Sequence, residues 1–179
     1  MKTIHLVALP GSLRQNSFNK MAVRYLQSQL PAQVSLELLD LTEIPFFNED
    51  VEAEGLPPVV VQLKEKIAAA DGIILATPEY NYSIPPVLKN ALDWISRGKK
   101  VITRKPTAIL SASIGMFGGA RVQYHLRQVT TALDMNVLNK PEVFITNAGS
   151  KFDGEGNLTD ERTQVALKKL LDALLEIIP

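Results

Sequence analysis

Apolar runs that suit buried strands alternate along the chain with stretches of helical period, and this alternation restricts the fold more than any other feature. The strand candidates are residues 4–8, 34–41, 73–77, 107–113 and 142–146. The third reads Ile-Ile-Leu-Ala-Thr, with no polar residue at alternate positions, so it is expected to be covered on both faces. Between them the spacing predicts helices over 21–30, 59–70, from Pro86 or Val87 onward, 120–135 and 159–178. Leu88, Ala91, Leu92 and Ile95 form the apolar face of the third, with Trp94 beside it. Thr159 and Glu161 make only an imperfect capping box before the last. Residues 42–57, holding Pro45, Gly55, Pro57 and a group of acids, read as an irregular surface connection. Strand followed by helix, five times over, implies a parallel sheet with helices on both faces.

Five such strands most simply take the flavodoxin-like, doubly wound order 2-1-3-4-5, an α/β fold whose ligand crevice lies at the carboxyl ends of strands 1 and 3. A length of 179 residues suits one domain, 1–179, with a substantial core. Nineteen basic and nineteen acidic residues cancel, which argues against a nucleic-acid binder and against a strongly acidic shuttle protein. With no cysteine, disulfides, thiolate metal sites, iron–sulfur clusters and cysteine catalysis are excluded. No run reaches the length of a membrane span, and 4–9 is too short for a signal peptide, so a cytoplasmic protein is expected.

Three loops follow strands 1, 3 and 4 and therefore face one end of the sheet: 9–16, 78–86 and 114–119. The first runs into a helix through Gly11, Ser12, Arg14, Asn16, Ser17 and Asn19, with no acid. Hydroxyls, a guanidinium and the positive end of a helix make a cradle for an anion, most simply a phosphate. Capping by Ser17 or Asn16 after a turn at Gly11 would account for one of these residues, not all. Neither a P-loop nor a dinucleotide fingerprint is present, which favours a mononucleotide. The second loop brings Tyr80, Asn81 and Tyr82 between Pro78 and Pro85, and the third brings Gly115, Gly118 and Gly119. Taken singly, the tyrosines read first as core or interface aromatics, and the glycine pair as a turn. Together, a phosphate grip beside flat aromatic and amide groups suits flavin mononucleotide (FMN), whose own chemistry does the redox work.

The segments Gly11-Ser12-Leu13-Arg14-x-x-Ser17-Phe18-Asn19, Pro78-Glu79-Tyr80-Asn81-Tyr82-Ser83-x-Pro85, Leu88-Lys89-Asn90-Ala91-x-Asp93-Trp94 and Gly118-Gly119-Ala120-Arg121-x-Gln123-x-x-Leu126-Arg127 resemble the NAD(P)H-dependent FMN reductases, a family that includes quinone, chromate and azo-dye reductases. The resemblance runs from strand 1 to about Glu142. It implies that Ser12, Arg14, Ser17 and Asn19 hold the FMN phosphate with Phe18 beside them. It implies that Pro78, Glu79, Tyr80, Asn81 and Tyr82 border the ring, largely through backbone, and that Ser113 and Gly115 touch it. It implies NADPH or NADH as hydride donor, ping-pong exchange with an acceptor, and a homodimer or dimer of dimers. Trp94 and the exposed side of 88–97 are expected to offer a self-complementary surface. Arg121, Tyr124 and Glu142 are candidates to pair near the site or between subunits, and no catalytic acid or base is assigned. The competing reading is a flavodoxin-type electron carrier, which neutrality of charge disfavours. His5 and His125 lack a second ligand at helical spacing, so no metal is expected. Ser111-Ala112-Ser113-Ile114-Gly115 falls one residue short of a nucleophile elbow, and His125 follows too soon to serve a hydrolase built on Ser113.

Overall fold

The computed structural model describes residues 3–179. In chain order the elements are β1 (Ile4–Pro10), α1 (Phe18–Ser28), β2 (Val34–Leu38), α2 (Glu49–Glu54), α3 (Pro58–Ala69), β3 (Gly72–Thr77), α4 (Pro86–Ser96), β4 (Pro106–Ala112), α5 (Ala120–Ala132), β5 (Asn136–Val137), β6 (Val143–Ile145) and α6 (Glu161–Glu176). The strands pair in parallel in the order β2-β1-β3-β4-β5, the expected order, with β6 also on β4. The period-2 geometry of a strand sorts the core into two layers. Leu6 and Ala8 of β1 join Ala22, Leu26, Leu167 and Leu171 beneath α1 and α6. Val7 and Leu9, their neighbours in sequence, join Leu63, Ile67, Leu88, Leu92 and Leu126 beneath α3, α4 and α5. Every residue of β3 is buried, as its uninterrupted apolar run requires.

Three expectations about element bounds change. The fifth strand is split: β5 pairs Asn136 and Val137 with Pro106 and Thr107, and β6 pairs Val143–Ile145 with Leu110, Ser111 and Ala112. Both pieces lie along one edge of β4, and Pro141 between them has no N–H to give to a ladder. Residues 42–57 are not wholly irregular, since Asn48 caps the short α2 through its side chain. The cap of α6 is Asp160, whose carboxylate accepts from the Thr163 N–H, rather than Thr159.

Trp94 is the largest correction. It is 0 % exposed and offers nothing to a second subunit. Its Nε1 donates to the Pro45 carbonyl at 2.8 Å, and its ring meets Phe47 edge-on at 4.9 Å. Asn90 donates to the same carbonyl at 2.9 Å and accepts from the Phe47 N–H at 2.7 Å. Arg97 completes the seam by pairing with Glu52 at 2.8 Å. The Leu88–Trp94 motif therefore straps the 44–52 segment onto α4, the helix that leaves the second loop.

Candidate functional site

The parallel register brings the three loops to one rim. Pro10 lies level with Ala76, and Thr77 with Ser111, so β1, β3 and β4 end side by side. Gly11 sits so close to β3 that a Cβ there would lie 2.2 Å from Thr77 Oγ1, and its N–H donates to the Ala76 carbonyl at 2.7 Å. Any larger residue would push the first loop off the sheet.

Between the loops lies a cleft of about 250 Å³ lined by Ser12, Arg14, Ser17, Phe18, Asn19, Pro78, Glu79, Tyr80, Ala112, Ser113 and Ile114. Nine of these are residues singled out in the sequence; Ala112 and Ile114 are additions that carried no signal beyond flanking Ser113. Asn81, Tyr82 and Gly115 lie outside this lining.

At the α1 end, Ser17 is the N-cap and accepts from the Lys20 N–H, and the first turn holds no acid. The buried Ser12 accepts from the Arg14 N–H at 3.3 Å, while Tyr80 Oη approaches its Oγ at 3.5 Å. Both hydroxyls keep a proton to donate. Arg14 is exposed and, among the described residues, has no protein partner for its guanidinium. Helix-end N–H groups, two hydroxyls and an unpaired guanidinium form a donor set for a phosphate. Asn19 is engaged otherwise than expected. Its Nδ2 donates to the Ala112 carbonyl at 3.0 Å and its Oδ1 accepts from the Ala112 N–H at 2.8 Å, so the buried amide clamps α1 to the end of β4.

At the other end, the second loop is pinned to the start of α5. Glu79 accepts from Arg121 Nη1 and from the Val122 N–H, each at 3.2 Å. The carboxylate thereby caps α5, whose N-cap Gly119 (φ 86°) has no side chain to do so. With Glu79 so engaged, the second loop offers the cleft backbone groups and the Tyr80 ring rather than a free acid. Gly115 differs from Gly11: a Cβ there would meet only Ser113 Oγ at 3.7 Å. The protein itself leaves room at that position, as close approach of a ligand would need.

Glu142 pairs with Lys140 at 2.7 Å, and Tyr124 is exposed, so neither joins Arg121 within the chain. His125 Nδ1 lies 3.2 Å from Ser83 Oγ, not beside Ser113, whose Oγ accepts from the Gly115 N–H. Among the described residues no group of three or more His, Cys, Asp or Glu gathers to hold a metal ion, and no helix is long and apolar enough to cross a membrane.

The NAD(P)H-dependent FMN reductase of Pseudomonas aeruginosa is 48% identical over 172 residues, 96% of this chain and 93% of that protein. An NADPH:quinone oxidoreductase of Arabidopsis thaliana is 46% identical, covering 96% of this chain and 90% of its own. FerB, a flavoenzyme NAD(P)H:(acceptor) oxidoreductase from Paracoccus denitrificans, has a solved structure that superposes with a TM-score of 0.88 at 30% identity, over 98% of this chain and 97% of that one. With residues 4–150 matching its family description, the chain belongs to the NADPH-dependent FMN reductase family.

Proposed function

We propose that the protein is an FMN-dependent NAD(P)H oxidoreductase whose acceptors are quinones and related two-electron acceptors such as free flavins, azo dyes or metal oxyanions. The observation that carries this reading is the single cleft in which phosphate donors (Ser12, Arg14, Ser17) stand at one end and the Pro78–Tyr80 backbone with Ser113 at the other. In this reading Ser12, Arg14, Ser17 and the N-terminal amides of α1 hold the phosphate, and Phe18 flanks it. The second and third loops border the ring, with Gly115 allowing a close approach. Bound FMN would supply the redox chemistry, hydride acceptance from a nicotinamide nucleotide and electron transfer to an acceptor. The chain's own work is to bind, orient and leave one side of the ring reachable, so donor and acceptor use the same opening in turn and ping-pong kinetics follow. Use of a nicotinamide nucleotide suits work in the cytoplasm.

A homodimer or dimer of dimers is part of the proposal. Ile114, Met116, Phe117 and Tyr124 are all exposed along the third loop and α5, an apolar edge beside the cleft that suits subunit contact.

The test is direct. Apoprotein mixed with FMN should turn yellow and retain the flavin through gel filtration. Without air, NADPH or NADH should then reduce the bound flavin once, and sustained turnover should need a benzoquinone, with parallel double-reciprocal lines. Retained flavin that neither nucleotide reduces would move the protein to the electron-carrier reading. No uptake of FMN would remove both.

A further inference from the structure

Arg121 stands where the second and third loops meet, and nothing in the binding scheme above uses it. Its guanidinium lies over the Tyr82 ring at 4.1 Å and over the Phe117 ring at 4.3 Å. Its Nη1 donates to Glu79 Oε1 at 3.2 Å. One side chain of α5 is thus held by two residues of the second loop and one of the third.

The turn that it touches is under strain. Asn81 and Tyr82 have φ of 49° and 66°. Across them Tyr80 and Ser83 exchange backbone hydrogen bonds of 3.1 and 2.9 Å. This is a two-residue turn with both central residues left-handed, which suits Asn at the first and glycine at the second. A tyrosine in the second place carries its Cβ into a region that bulky residues avoid. Such a conformation persists only where its surroundings hold it. Burial does not do so, since Tyr82 is 65% exposed. Among the described residues, the Tyr82 side chain has no hydrogen bond, and its ring lies under the Arg121 guanidinium.

We propose that Arg121 is a positioning residue: stacked between Tyr82 and Phe117 and paired with Glu79, it holds the Asn81-Tyr82 turn left-handed and so sets how the second loop meets the cofactor ring. The first half of this concerns the apoprotein; the second half rests on the function proposed above.

Two measurements test it: amide exchange of Ser83 in the apoprotein, and FMN affinity from quenching of flavin fluorescence. Arg121→Ala should speed Ser83 exchange about tenfold and weaken FMN binding about fivefold, the scale of a partly exposed cation–π contact. Tyr82→Ala, which removes the ring but keeps the strained position, should do the same. Tyr82→Gly removes the ring and also the strain, so Ser83 should exchange no faster than in the wild type. On that background Arg121→Ala should change exchange by less than about twofold. Equal loosening by alanine and glycine at position 82, or unchanged exchange in Arg121→Ala, overturns the proposal. Should Arg121→Ala fail to fold, the two substitutions at Tyr82, an exposed position, decide alone. A wild type that takes up no FMN would fell the functional reading, while the exchange data would still judge the role of Arg121.

Discussion

Arg14, in the first loop, and Asn19, in the first turn of α1, stand five residues apart, and the contrast between them marks how far single residues can be read. Arg14 is exposed and has no protein partner among the described residues, so its charge is available to an anion, as its place in an acid-free loop suggests. Arg14→Ala should weaken FMN binding by about 1.5–3 kcal/mol, the range for a hydrogen bond to a charged group. Thermal unfolding of the apoprotein should not move, because nothing in the fold leans on the guanidinium. Titration of apoprotein with FMN, alongside a melting curve, checks both halves, and unchanged affinity would take Arg14 out of the phosphate site. Asn19 carries an equally polar side chain, but its partner is Ala112, 93 residues away. No local pattern announces such a clamp. The burial of Trp94 escapes a local pattern for a related reason. Its period places it beside an apolar face, but only the arrival of Pro45 and Phe47 from across the chain shows that the indole is buried.

At the scale of elements, what depends on local chemistry was legible and what depends on a distant partner was not. The runs at 73–77 and 107–113 became β3 and β4 within a residue or so, since fully buried strands leave an unbroken apolar signature. The split between β5 and β6 was not legible, because two- and three-residue strands are too short to carry a period and exist only through pairing with β4. The cap of α6 lies one residue beyond the expected Thr159, and it yields a prediction. Asp160 accepts from both the hydroxyl and the N–H of Thr163, with Lys151 3.4 Å away. The Thr163 hydroxyl bond first, then its N–H and the lysine charge, hold the Asp160 carboxyl below its ordinary value of 3.8. A lowered folded pKa means that the unfolded chain binds the proton more readily. The stabilisation is therefore complete above the unfolded value and lost as pH falls through the folded one. Asp160→Ala should cost about 1 kcal/mol at neutral pH. Asp160→Asn, which still caps, should keep most of the stability while flattening its decline in acid. Urea denaturation across that pH range separates the two, and a mutant-independent acid limb would show that the cap does not titrate as described.

The whole molecule places its candidate chemistry at one rim, and part of its exposed apolar surface stands beside it. Helices cover both faces of the sheet, and the third loop exposes Ile114, Met116 and Phe117 next to the cleft. Formal charge sums to zero, so no net repulsion opposes association of two copies. Met116, 73% exposed, offers the cleanest probe of whether that edge is a subunit contact, since it lines neither the cleft nor the core. Met116→Glu would place a carboxylate where apolar surface meets apolar surface, and burying an unpaired charge is far costlier than losing a methionine contact. Sedimentation equilibrium should show the wild type as a dimer or a dimer of dimers, and the variant with a dissociation constant raised at least about tenfold. The donors proposed to hold FMN are untouched by this change, so a monomeric variant that still takes up flavin would assign Met116 to association alone. A variant that sediments like the wild type would move the interface elsewhere on the surface and leave the apolar edge to the acceptor that must reach the ring.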